Sequence, residues 1–285
     1  METPYTKKLL ESAQKHGSLL CFGIDPVLEK IPSSVRGSTR ERIIKFYSSI
    51  IDVVPEHGGI SALKPNYAFF AQYGWDGLQA LSDLIIRYYG RYPIILDVKR
   101  SDIGNTATAY AKEGFEFWGA DALTVSPFLG ADSVKPFLDY CPRGKGVYLL
   151  CRTSNAGAAD FQAKVLKDSK QPLYMEVLDK ALQWHCDGLG LVVGATAPAE
   201  LELVLKTTQK AGKSVPLLIP GVGTQGGSAE EVGRLLREQG ADQMGLHRIN
   251  ASSSIAFAYL KKEGEADYVD AALEEIARLN KGIGF

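Results

Sequence analysis

The sequence predicts an α/β protein, a (β/α)8 TIM barrel. Short β-rich runs, eight in number, alternate with helical patterns from end to end. Most of these runs are continuously apolar, the mark of parallel strands covered on both faces. The polar residues with chemical potential gather where the runs end, which is the face on which barrel sites are built. At 285 residues the alternation suits a single barrel domain over 1–285. A doubly wound open sheet shares the same alternation and is the competing fold.

The elements follow in order. METPYTKKLLESAQKHG is an amphipathic helix with no uninterrupted apolar stretch of the signal-peptide kind. SLLCFGID (18–25) is the first strand candidate. The spacing of Ser38 and Glu41 is that of a capping box; the helix it opens carries the stripe Ile43, Ile44, Tyr47, Ile50, Ile51 and Val54. ISALKP (60–65), PIILDVK (93–99), ALTVSP (122–127) and GVYLLCRT (146–153) are the next strands. Residues 156–172 have no strong pattern and read as an insertion after the fifth strand. LGLVVGAT (189–196), VPLLIPG (215–221) and QMGLHRIN (243–250) complete the set, with Ser228 and Glu231 at capping spacing between the last two.

Composition narrows the function. A formal charge of −1 and a pI near 6.5 give no reason to expect nucleic acid or an acidic membrane as partner. Cys21, Cys141, Cys151 and Cys186 lack CxxC or CxxH spacing, so reduced and mostly buried thiols are expected, not disulfides or zinc. His16, His57, His185 and His247 stand in unrelated contexts and suggest no metal site. With no apolar run approaching a membrane span, a cytoplasmic enzyme is the expectation.

Lys64 in ISALKPN and Asp97, Lys99 and Asp102 in IILDVKRSDIGNTA are the chemically loaded residues. Each interrupts or closes an otherwise apolar run, and ionised groups are seldom buried unless paired or used. With a period of two, Asp97 and Lys99 project from one face. Opposite charges packed closely can hold a lysine protonated and a carboxylate ionised where water is scarce. A structural ion-pair network closing one end of a barrel would use the same residue types. Two lysines and two acids exceed what such a latch needs, and burying each ion costs several kcal/mol before pairing.

IPGVGTQGGSAEE contains G-x-G-x-x-G at Gly221, Gly223 and Gly226, but it follows the seventh run, and the next strand ends in Asn250, not an acid. It is therefore a false dinucleotide fingerprint. Glycines that expose backbone N–H groups at a helix start still suit a phosphate, and Gln225 adds an amide donor. A plain glycine-rich turn is the other reading. Ser154 in CRTSNAGA either binds a polar ligand or makes a turn with Asn155. Asp25 in FGIDP is equally a turn residue or a ligand to sugar hydroxyls.

FGIDP, LKPNYAFF, LDVKRSDIGNTA, TVSPFLGADS, LLCRTSNAGA, IPGVGTQGG and INASSSI occur in one order along nearly the whole chain. In that order the sequence resembles the orotidine 5′-monophosphate decarboxylase family, in its longer bacterial-type branch, whose signatures are DxKRxDIGxTA and PGxGxQGG. The Asp-x-Lys-x-x-Asp element alone is shared with related sugar-phosphate decarboxylases and aldolases. The resemblance implies a barrel homodimer that converts orotidine 5′-monophosphate to UMP and CO2 without metal or organic cofactor. It implies Lys99 as proton donor to C6, Asp97 against the substrate carboxylate, and Lys64 holding the charge network beside the ribose. Asp102, with Thr106, would reach into the partner's site. Asp25 would contact ribose, Ser154 the pyrimidine edge, and Gln225, with the Gly221 and Gly223 backbone, the phosphate.

One departure stands out. The family pattern Asn-x-Ser-Arg-x-Ile places a phosphate-gripping arginine where this chain has Ser253, in Asn250-Ala251-Ser252-Ser253-Ser254-Ile255. Arg248 is the candidate replacement, although strand parity points it to the other face. A Mg²⁺-dependent sugar-phosphate enzyme and a non-catalytic nucleotide-binding barrel with a weakened phosphate grip are the rival functions.

Overall fold

The computed structural model describes residues 2–262 and 266–285. Its parallel strands are β1 (Leu20–Ile24), β2 (Ala62–Pro65), β3 (Ile95–Arg100), β4 (Ala122–Val125), β5 (Gly146–Arg152), β6 (Leu189–Val193), β7 (Leu217–Pro220) and β8 (Arg248–Ala251). They are hydrogen-bonded in the order β2-β1-β8-β7-β6-β5-β4-β3. Two bridges close the seam between β2 and β3, Leu63 with Ile94 and Asn66 with Asp97. Leu63 N–H also donates to Pro93 O there, at 3.0 Å. The sheet returns on itself, which excludes the open doubly wound alternative.

The strands are apolar throughout because they meet two cores. Outward residues such as Phe22, Leu63, Leu96 and Leu123 pack under the surrounding helices. Inward residues form a smaller cluster from Cys21, Ala62, Ile95, Ala122, Tyr148 and Leu218. Tyr5 and Leu9 of the N-terminal helix Tyr5–His16 join that inner cluster and close the barrel floor, with Tyr5 Oη donating to Tyr148 Oη at 3.2 Å. Two residues beyond Ala62, Ile95, Ala122 and Arg248, the same inward face presents Lys64, Asp97, Thr124 and Asn250. An apolar layer below and a polar layer above is thus a direct product of the period of two.

The helix Thr39–Ile51 starts at the expected capping box. Ser38 Oγ accepts from Glu41 N–H at 3.3 Å, and Glu41 Oε2 accepts from Ser38 N–H at 2.8 Å. Ile43, Tyr47, Ile50 and Ile51 are buried as the stripe predicts. Phe46 is buried with them, Ile44 is half-buried, and Val54 packs into the core beyond the helix end. At Ser228 only half of the box forms: its hydroxyl accepts from Glu231 N–H at 3.1 Å and donates to Glu230 Oε2 at 2.8 Å, while Glu231 makes no return bond to the Ser228 N–H.

One expectation is corrected. The first half of QMGLHRIN is not strand. Gln243 and Met244 end the short helix Ala241–Met244, and β8 begins only at Arg248. Met244 and Leu246 are buried apolar residues either way, so hydropathy does not separate a helical turn from a strand here. Residues 156–172 have structure of their own: a 3-10 turn at Ala156–Asp160 and an antiparallel bridge from Val165 to Pro172. Gln162 Oε1 accepts from Thr153 N–H at 2.8 Å and fastens this segment to the end of β5.

Candidate active site

A cavity of about 650 Å³ opens at the C-terminal ends of the strands. Its floor is built around Asp97. Lys64 Nζ, from the neighbouring β2, lies 3.0 Å from Asp97 Oδ2, and Lys99 Nζ lies 2.7 Å from Oδ1. Thr124 Oγ1 on β4 also donates to Asp97 Oδ1, at 2.8 Å. The Lys64 and Asp97 side chains are 5% and 8% exposed, whereas Lys99 is 51% exposed. The expectation that the whole set is buried therefore holds for two residues. Lys99 reaches from the buried carboxylate into the open cavity.

The two ammoniums meet one carboxylate through a bulge, not through simple alternation. The β3–β4 register shifts between Leu96 and Arg100, and Lys99 adopts φ 44°. That left-handed conformation costs an L-residue about 1–3 kcal/mol. The same Thr124 Oγ1 accepts from the N–H groups of Val98 and Lys99, at 3.1 and 2.9 Å, and holds the bulge. Arg100, next in sequence, is clamped by both carboxylate oxygens of Glu113 at 2.8 Å and lies over the rings of Tyr67 and Tyr110. Lys99 is thus fixed from both sides of its backbone.

Burial works against ionised Asp97, but the Lys64 and Lys99 ammoniums outweigh it and hold the carboxyl well below its usual range. Burial likewise disfavours charged Lys64, and the Asp97 and Asp25 carboxylates overcome it, raising its pKa. The result is a fixed alternation of charges at the floor of a cavity.

Of the other predicted residues, Asp25, Ser154, Gly221 and Gln225 line the same cavity. Asp25 Oδ1 is buried without a hydrogen-bond partner. Ser154 fits because Gly194 and Gly221 leave room for it; a Cβ on Gly194 would stand 2.7 Å from Ser154 Cα. Gly223, at φ 93°, lies behind the wall, where its missing Cβ makes space for Ser254 Oγ. Asp102 and Thr106 do not line the cavity. Asp102 is half-buried and Oδ1 accepts from Ile103 N–H at 2.8 Å, while Thr106 is exposed.

Arg248 is corrected. It faces inward like Asn250 but lies at the opposite end of β8, wholly buried under the floor. Its guanidinium donates to the carbonyls of Leu9 at 2.6 Å, His247 at 2.7 Å and Gly245 at 3.0 Å. It ties the N-terminal helix to β8 and is sequestered from the cavity.

Sequence reasoning missed Thr124, Lys30 and Asn250, all on the cavity wall. Thr124 had a signal, a polar residue two places beyond inward-facing Ala122, but threonine is common in strands. Lys30 had none. Among the described residues, no group of three or more His, Cys, Asp or Glu side chains is placed to hold a metal ion.

A closed parallel barrel whose strand ends concentrate both signs of charge in one cleft has the layout of the barrel enzymes, whose active sites sit at that face. Comparison with known proteins narrows the class. Residues 18–267 match the model of the Orotidine 5′-phosphate decarboxylase / HUMPS family, and the chain belongs to that family. It is 41% identical over 280 residues to orotidine 5′-phosphate decarboxylase of Verminephrobacter eiseniae, covering 96% of each chain. It is 43% identical over 271 residues to that of Ralstonia pickettii, covering 94% of this chain and 93% of the relative. The structure of Leishmania donovani OMP decarboxylase superposes with a TM-score of 0.75 at 34% identity, over 98% of this chain and 99% of the other.

Proposed function

We propose that this protein is a carboxy-lyase that converts orotidine 5′-monophosphate to UMP and CO2, the closing reaction of de novo pyrimidine biosynthesis, with no metal or organic cofactor. The observation that carries the reading is Asp97 held ionised between Lys64 and Lys99 on the cavity floor. Loss of CO2 leaves an electron pair at C6, and without a cofactor to accept it the protein must stabilise that charge electrostatically. The Lys99 ammonium reaches into the cavity, stabilises the carbanion as it forms and delivers the proton to C6. Asp97, set beside the substrate carboxylate, disfavours the bound ground state relative to a transition state in which that charge is departing. Lys64 keeps Asp97 ionised and touches the ribose.

In the same reading Asp25, on the cavity wall, takes a ribose hydroxyl, and Ser154 meets the pyrimidine edge. Gln225 and the glycine turn hold the phosphate, whose binding energy serves orientation remote from the chemistry. Asp102 and Thr106 act in a partner's site across a homodimer interface. Ile103, Phe117, Phe128 and Leu129 support such a partner. They are large apolar side chains left 44% to 80% exposed, Ile103 beside Asp102, Phe117 ahead of β4, and Phe128 and Leu129 after it.

The test is the fall in ultraviolet absorbance when purified protein meets orotidine 5′-monophosphate in EDTA. Turnover is expected. Absence of turnover at high substrate, with activity on a sugar phosphate returning with Mg²⁺, would overturn the reading.

A further inference from the structure

We propose that Lys30 is the cation that holds the substrate's phosphate; the inference rests on the nucleotide reading of the cavity. Three ammoniums line the cavity. Two of them, Lys64 and Lys99, are committed to Asp97. Among the described residues the third, Lys30, makes no ion pair. It ends the 3-10 turn Leu28–Lys30 after β1, and its Nζ stands over the Phe257 ring, 5.5 Å from the centroid. Phe257 is itself part of the cavity wall and directly follows the short helix Ser253–Ala256.

The surroundings suit an anion. Ser253 Oγ and Thr224 Oγ1 are 3.2 Å apart and join this wall to the glycine turn. In that turn Gly221, Gly223 and Gly226 all have φ between 90° and 99°; the Gly223, Gly226 and Gly227 N–H groups close the turn on its own carbonyls, and Gly221, Thr224 and Gln225 face the cavity. These groups are neutral. A phosphate dianion needs a full positive charge beside them, and Lys30 supplies one.

Lys30 is also well placed to be held still. Its carbonyl accepts from Tyr259 Oη at 2.6 Å and its N–H donates to Val27 O at 2.9 Å. Arg42 Nη2 braces the same turn through the carbonyls of Leu28 and Ile31. The backbone is fixed while the exposed side chain can swing from the Phe257 face onto a ligand. Lysine is a point charge and does not need the planar fork geometry of arginine.

Calorimetric titration with UMP and with uridine separates a phosphate contact from every other one. Lys30→Ala should weaken UMP on the order of 10- to 150-fold, the effect of removing a charged hydrogen-bond donor. Uridine affinity should change little, and Lys30→Arg should restore UMP. Equal weakening of both ligands, or no weakening of UMP in folded protein, would overturn the assignment. Because the readout is binding, it decides Lys30 even if orotidine 5′-monophosphate is not turned over, an outcome that would count against the decarboxylase alone.

Discussion

Lys64 Nζ and Asp97 Oδ2 lie 3.0 Å apart with both side chains almost out of water. Removing one partner of such a pair leaves an uncompensated charge, which costs about 3–5 kcal/mol. Asp97 keeps Lys99 and Thr124 as partners, so Lys64→Gln should lose stability in urea unfolding, by less than that full amount. The pH dependence has a definite sign. The native Asp97 carboxyl is held below its unfolded value of about 3.9, so its contribution is present above that pH and is lost as acid is added. Native Lys64 is raised, so its contribution is present below about 10.4 and is lost only as pH climbs through the higher native value. Neither group titrates near neutrality. In Lys64→Gln the acid loss should move to higher pH; an unchanged acid limb would mean that Lys99 alone holds Asp97 ionised.

Lys99→Ala should abolish turnover of orotidine 5′-monophosphate and leave the fold intact. The side chain is 51% exposed, so its truncation removes little packing, and the stability lost is that of one of the two ammonium partners of Asp97, with Lys64 and Thr124 retained. The φ of 44° burdens alanine and lysine alike. Single-turnover assays beside a urea melt measure both halves; near-normal activity would sink Lys99 as proton donor.

Much of this site was legible because burying charge is expensive. Lys64 and Asp97 declared themselves by interrupting apolar strands, and the period of two set them on the inner face. The bulge that aims Lys99 was not legible, because it depends on Thr124 Oγ1 from the next strand. Arg248 misled for a related reason. A guanidinium held by main-chain carbonyls, one of them Leu9 on the N-terminal helix, leaves no local pattern to read. Lys30 was invisible, since only the folded contact with Phe257 and Tyr259 brings the turn after β1 to the end of β8. The barrel itself was plain in the apolar runs, except where a buried helical turn before β8 imitated one.

Ser253 stands at the rim opposite Thr224, where a longer cation could reach the same anion as Lys30. Ser253→Arg should raise kcat/KM for orotidine 5′-monophosphate, by up to the order of 10- to 150-fold expected of a charged donor. The gain should be larger in a Lys30→Ala background than in the native one, because the two cations would answer the same charge and their effects cannot add. A double-mutant cycle on kcat/KM measures this. Strict additivity would mean that the two positions contact different groups, and a fall in kcat/KM in folded Ser253→Arg would mean that the rim is already filled.

Asp102 and Lys99 belong to one short segment, yet only Lys99 lines the cavity of its own chain. If Asp102 completes a partner's site, Lys99→Ala and Asp102→Ala homodimers should each be inactive. Mixed and allowed to exchange, they should form heterodimers with one site defective in both residues and one intact. Activity should then rise toward a quarter of the native level, because random pairing makes about half of the dimers mixed, each with one working site of two. Subunit exchange is followed by mass spectrometry of differently tagged chains. Full exchange without recovered turnover would confine Asp102 to a structural role at the start of the helix Gly104–Lys112.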